Sequence, residues 1–161
     1  MEIEQLSVSS LKLDPNNART HDNANLEAIA GSLAQFGQRK PIVVTHNNIV
    51  VAGNGTLTAA LSLGWKEISA VRIPKDWDEA QIKAFALADN RTAELADWNS
   101  IRLAEQLIEL ETADFDIQAI GFEQVEEKEQ KVLEEFPTFS DETETAYKCP
   151  KCSYEWNGAA R

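Results

Sequence analysis

The chain has 161 residues, 43% of them apolar, and a formal net charge of −12. That length allows one modest core and a tail. No apolar run approaches the roughly 20 residues of a membrane helix, and the N-terminus MEIEQLSV carries acids where a secretion signal carries bases. A charge of this sign argues against sequence-independent capture of a nucleic-acid backbone. It is unevenly spread: residues 1–122 hold 17 acids and 10 Lys or Arg, whereas residues 123–144 hold 9 acids and 2 lysines. The tail therefore carries much of the imbalance, and a local basic patch on the folded part stays open. The two cysteines, Cys149 and Cys152, are too close to staple a fold, which fits a reducing, cytoplasmic setting.

Residues 3–11 alternate weakly and predict one strand around Glu4–Val8. Asp14-Pro15-Asn16-Asn17 is a turn, and Arg19 directly after it is either aimed at a ligand or a solvated surface group. A helix is expected from Asn23, with Leu26, Ile29, Leu33 and Phe36 on one face and Gly37 as its cap. Pro41 holds Lys40 extended. Two apolar runs, IVVT and IVVA, then flank His46, Asn47 and Asn48 in a hairpin pattern. Gly53-Asn54-Gly55 follows, then a helix over 56–63 stopped by Gly64. A glycine turn of this kind points backbone N–H groups toward one spot at the positive end of a helix, a recipe for holding phosphate or carboxylate. The other reading is a tight turn that only connects strand to helix.

Residues 68–73 read as a further strand. The strands are expected to form one small mixed sheet with the helices on one face and Trp65 at the helix–sheet boundary. Asp78 and Gln81 have capping-box spacing and start a helix faced by Ile82, Phe85 and Ala86, which the run Leu87-Ala-Asp-Asn-Arg91 is expected to end. Those polar groups suit a phosphate contact, or equally a capped helix end. The next helix is expected to use Ile101, Ala104, Leu107 and Ile108 as its face, broadened by Leu103 and Leu110. A short helix over 114–120 ends at Gly121, with Phe122 packing back. Domains are therefore expected at 1–122, with an acidic helix and linker at 123–146 and a tail at 147–161.

In that tail Cys149 and Cys152 have the C-x₂-C spacing of a zinc knuckle, but structural zinc takes four ligands and this sequence offers one such pair. Two chains sharing a Cys₄ site, completion by a partner, free thiols and a redox dithiol all stay open. There is no Walker-type phosphate loop and no Ser–His–acid or Cys–His arrangement in local sequence.

Taken together, Leu13-Asp-Pro-Asn-Asn-Ala-Arg19, Ile29-Ala-Gly-Ser-Leu-Ala-Gln-Phe-Gly37, Pro41-Ile-Val-Val44, Val51-Ala-Gly-Asn-Gly-Thr56 and Leu87-Ala-Asp-Asn-Arg91 resemble the ParB N-terminal-like domain of the ParB/sulfiredoxin superfamily, in its phage-type and DNA-methyltransferase-associated form. The resemblance implies an α+β fold, a small mixed sheet packed against helices and followed by additional C-terminal helices. It also implies a nucleotide pocket for CTP or ATP. Arg19, Gly53, Asn54, Gly55, Thr56, Asn90 and Arg91 would bind the ligand, with Mg²⁺ near Asn90 or an acid. Two departures bear on this. ParB proteins carry glycine-x-arginine-arginine where this chain has Gly53-Asn54-Gly55-Thr56, and the reactive cysteine of sulfiredoxin has no counterpart. No room is expected for a helix-turn-helix reader, hence no chromosome-partition clamping.

Three functions compete. The first is a nucleotide- or phosphate-binding protein associated with DNA modification or phage DNA processing, in the cytoplasm of a bacterial or phage-infected cell and in contact with DNA or a DNA-modifying enzyme. The second is a Mg²⁺-dependent nucleotide hydrolase, phosphotransferase or nuclease with Asp89 as its catalytic group. The third is an adaptor docking through the acidic tail and the pair Cys149 and Cys152, as a homodimer where zinc is shared.

Overall fold

The computed structural model describes residues 2–124 and 147–156. The chain divides into two units, Met1–Glu126 and Glu127–Arg161. From residue 125 onward, the expected acidic helix and linker lie outside the described residues.

The first unit is α+β. Its strands are β1 (Ile3–Ser7), β2 (Lys12–Leu13), β3 (Ile42–Val44), β4 (Ile49–Ala52) and β5 (Glu67–Arg72), and its helices are α1 (Asn23–Phe36), α2 (Asn54–Ser62), α3 (Glu79–Glu94) and α4 (Ser100–Thr112). The sheet order is β1-β5-β3-β4-β2. β1 and β5 pair antiparallel, as do β3 and β4, whereas β3–β5 and β2–β4 are parallel. The mixed sheet is as expected, but β2 is an addition.

Local chemistry explains most boundaries. Asp22 caps α1 by accepting from the Asn25 N–H at 2.8 Å. Asp78 and Gln81 form the capping box of α3. The β3–β4 hairpin turns at Asn48, which sits at φ +62 and accepts from the Arg72 guanidinium at 3.1 Å. Gln38 extends the ladder beside β5: its side-chain oxygen accepts from the Ser69 N–H at 2.7 Å and its nitrogen donates to the Ser69 carbonyl at 2.8 Å.

The core lies between the sheet and the helix pair α1 and α2. Leu57 and Ala60 from α2 and Val44, Val50, Ile68 and Ala70 from the strands are all at most 1% exposed, with Ile29 and Trp65 packed around them. Burial of this kind stabilises by about 25 cal/mol per Å² of apolar surface. α1 also packs on the 3₁₀ turn Gln118–Ile120. The Cβ that an alanine would place at Gly31 falls 1.7 Å from the Ala119 carbonyl oxygen. Only glycine admits so close an approach.

Four expectations need correction. The short helix expected over 114–120 is only the 3₁₀ turn Gln118–Ile120. α2 begins at Asn54, so the turn is a single residue, Gly53, and Asn54 and Gly55 already belong to the helix. α3 does not end at the Leu87–Arg91 run but continues to Glu94. This is because the Asn90 side chain, instead of breaking the helix, donates back to the Ala86 carbonyl at 2.9 Å within it. On α4, Leu107 is buried and Leu103 and Leu110 are half-buried, while Ile101 and Ile108 are 72% and 50% exposed. Two stripes at helical spacing were available, and packing chose the second.

The second unit, as far as described, is a hairpin of β6 (Tyr147–Lys148) and β7 (Glu155–Trp156), paired antiparallel.

Candidate functional site

A cavity of about 490 Å³ opens where β4 runs into α2. Gly53 makes the junction. Its φ of +95 is a conformation that L side chains rarely adopt, and an added Cβ would fall 2.6 Å from Ile42 Cγ2. The hydrogen-bond ladder of α2 starts with the Leu57 N–H donating to the Gly53 carbonyl at 3.0 Å. The N–H groups of Asn54, Gly55 and Thr56 therefore precede it, without a carbonyl four residues back in the helix, at the positive end of its dipole.

The side chain of Asn54 is not open to the cavity's contents. It is 8% exposed, accepts from the Asp14 N–H at 3.1 Å and donates to the Val50 carbonyl at 3.2 Å. It ties the 14–17 turn to the end of the sheet. What Asn54 offers a ligand is its backbone N–H.

Four other segments reach the same cavity. The segment after the 14–17 turn contributes Arg19, and α1 with its lead-in contributes Asn25 and His21. The His21 Nδ1 lies 2.7 Å from Asn25 Oδ1. The ring lies so close over Gly55 that an added Cβ there would fall 2.8 Å from its Cε1. Lys40 lines the cavity from the entry to β3. α3 meets the sheet at β4 and brings Asp89 and Asn90. Arg19 Nη1 sits 3.4 Å from Asn90 Oδ1 and 3.5 Å from its carbonyl. Asp89 is exposed and makes no ion pair among the described residues.

Thus Arg19, Gly53, Asn54, Gly55, Thr56, Asp89 and Asn90 share one cleft. Arg91 does not line it. It lies in a neighbouring hollow with Arg19, Leu87 and Glu94 and is held by Glu94 at 3.2 Å. His21, Asn25 and Lys40 were not among the residues singled out from sequence. The signals available were the position of His21 two residues past Arg19 and the rigid Pro41 after Lys40.

In the second unit, Cys149 is half-buried and Cys152 exposed. The Cys149 thiol is drawn below its ordinary pKa by the backbone N–H of Cys152, then that of Lys151, then the Cys152 side chain.

Backbone amides at a helix start, with Arg19 and Lys40 lining the same hollow, are an arrangement chemically suited to an anion. The family model of the ParB N-terminal domain matches residues 1–91, and the chain belongs to that family. A probable chromosome-partitioning protein ParB of Campylobacter jejuni is 34% identical over 113 residues, which cover 68% of this chain and 38% of that protein, so the chain spans well under half of its relative's length. The crystal structure of C-terminally truncated ParB from Caulobacter crescentus complexed with CTP-γ-S superposes with a TM-score of 0.63 at 20% identity, covering 77% of this chain and 73% of that one. This likeness shows the shared ParB/sulfiredoxin-like fold. The same Caulobacter protein complexed to the centromeric parS site gives a TM-score of 0.47 at 21% identity, covering 75% and 66%. Among the described residues no helix is long and apolar enough to cross a membrane.

Proposed function

We propose that the first unit binds a nucleoside triphosphate, CTP ahead of ATP, with its phosphates on the N–H groups of Asn54, Gly55 and Thr56. The observation that carries this reading is convergence: the opening amides of α2, Arg19 from one segment and Lys40 from another face a single cavity of about 490 Å³. The Caulobacter relative complexed with CTP-γ-S supports the choice of nucleotide. The arginine pair that ParB proteins carry at the glycine turn is absent, and Arg19 and Lys40 bring positive charge to the cavity from elsewhere in the chain. Arg91 would join only by leaving Glu94.

Mg²⁺ fits this donor set. Asp89 offers a carboxylate that makes no ion pair among the described residues, and Asn90 an amide oxygen that would have to leave the Arg19 guanidinium 3.4 Å away; both are hard oxygen ligands of the kind Mg²⁺ takes alongside phosphate. Bound there, the ion would neutralise phosphate charge, with Asp89 and Asn90 as its protein contacts.

The setting we propose is DNA modification or phage DNA processing, in the cytoplasm of a bacterial or phage-infected cell. DNA or a DNA-modifying enzyme would contact a local basic patch on the first unit. The Campylobacter relative, named for chromosome partitioning, supports an association with DNA.

The test is calorimetric titration of the full chain with CTP, ATP, CMP and inorganic phosphate, with and without Mg²⁺, followed by product analysis of the same samples. Saturable binding of a triphosphate, weakened at least tenfold (~1.4 kcal/mol) in Arg19→Ala, is the expected result. Absence of binding to every nucleotide would overturn the reading, and release of diphosphate abolished by Asp89→Ala would convert it to the hydrolase alternative.

A further inference from the structure

The turn between β6 and β7 holds both cysteines. The Cys149 N–H donates to the Tyr154 carbonyl at 2.8 Å, and the Ser153 N–H donates back to the Cys149 carbonyl at 2.9 Å. Ser153 closes the turn at φ +61, a left-handed conformation uncommon outside glycine. The backbone thus closes residues 149–154 into one tight turn that holds both cysteines. Cysteine thiolates are soft ligands that suit zinc, and a C-x₂-C turn supplies two corners of a tetrahedral S₄ site.

Among the described residues of the second unit no buried side chain supports this turn. None of residues 147–156 is buried. Their apolar content is an aromatic row: Trp156 stacks on Tyr147 at 5.8 Å and on Tyr154 at 6.3 Å, with the two tyrosines 45% and 69% exposed. Units below ~40 residues generally need a metal, a disulfide or association to fold.

We infer that Cys149 and Cys152 hold Zn²⁺ together with Cys149 and Cys152 of a second copy of this chain. The sequence contains two cysteines, and among the described residues no three His, Cys, Asp or Glu side chains gather as a metal site. Two identical turns facing each other across a two-fold axis supply four sulfurs with no further ligand. On binding, Zn²⁺ replaces the proton on each ligating sulfur and the protons pass to solvent. No electron is transferred.

The experiment uses the full chain, purified under reducing conditions and supplied with Zn²⁺ alone. Metal content is read by mass spectrometry and mean mass by sedimentation. About half a zinc per chain is expected, as for one four-thiolate site in two chains, with a zinc-dependent gain in mass that a chelator reverses. Cobalt substitution should give the intense thiolate-to-metal absorption of an S₄ site. Cys149→Ser and Cys152→Ser should each abolish retention without changing the far-UV spectrum of the first unit, which contains neither residue. Cys152→His should retain the metal with a weakened cobalt charge-transfer band. One zinc per chain, no retained zinc, a disulfide that persists under reductant, or zinc uptake without a gain in mass would each overturn the inference. None of these outcomes touches the nucleotide reading, which concerns the other unit.

Discussion

The guanidinium of Arg19 lies 3.7 Å from the carboxylate of Glu94, and the other oxygen of that carboxylate holds Arg91 at 3.2 Å. One acid therefore stands between two cations, at the wall shared by the cavity over α2 and the hollow beside it. All three side chains are well exposed, at 39%, 49% and 64%, so each pair contributes little to folding. Exposed ion pairs are worth roughly 0.2–1 kcal/mol.

Glu94→Gln should therefore leave stability nearly unchanged while freeing both arginines for an anion. Affinity for CTP should rise, by up to roughly fivefold for ~1 kcal/mol of released competition. Titration calorimetry at two salt concentrations checks this, because a gain of Coulombic origin shrinks as ionic strength rises. Unchanged or weaker binding would mean that Glu94 does not compete with the ligand.

Asn54→Ala removes a buried amide that satisfies the Asp14 N–H and the Val50 carbonyl at once. Leaving such groups unpartnered costs about 1–3 kcal/mol. Urea unfolding should show a lowered midpoint with unchanged slope. CTP affinity well below the transition should change less than it does in Arg19→Ala, because the backbone N–H at position 54 is retained.

Gly53→Ala carries two penalties, the φ of +95 and a Cβ 2.6 Å from Ile42 Cγ2. The backbone must rotate to relieve them, and the amides that open α2 rotate with it. Stability should fall by about 1–3 kcal/mol. Triphosphate binding, measured by calorimetry under conditions where the variant is folded, should weaken by roughly tenfold or more.

Gly31→Ala tests how the C-terminal part of the first unit docks. The new methyl would meet the Ala119 carbonyl oxygen at 1.7 Å, so α1 and the Gln118–Ile120 turn must separate. A loss of about 1–3 kcal/mol is expected, with hydrogen exchange accelerating at residues 117–122 and little change at the cavity. Wild-type exchange there would show that the contact is soft.

Much of the fold was legible because it is local. The α1 face of Leu26, Ile29, Leu33 and Phe36, the capping box of Asp78 and Gln81, and the β3–β4 hairpin each depend on residues a few positions apart, whose spacing maps directly onto helix or strand geometry. β2 was not legible, because two residues have no period and exist as a strand only through their pairing with Ile49 and Val50. The length of α3 was misread for a related reason: Asp89, Asn90 and Arg91 look like a helix end, yet Asn90 satisfies itself within the helix and meets Arg19 from a distant segment.

The cleft divides along the same line. Its glycine junction and its arginine can be named from residue types alone, since left-handed backbone calls for Gly53 and an anion site calls for a cation such as Arg19. Only tertiary structure decided that Lys40 and His21 face the same hollow, that the Asn54 side chain turns inward, and that Arg91 rests on Glu94 outside it. Those outcomes depend on which distant elements pack together, and side-chain direction is set by the neighbours that packing supplies.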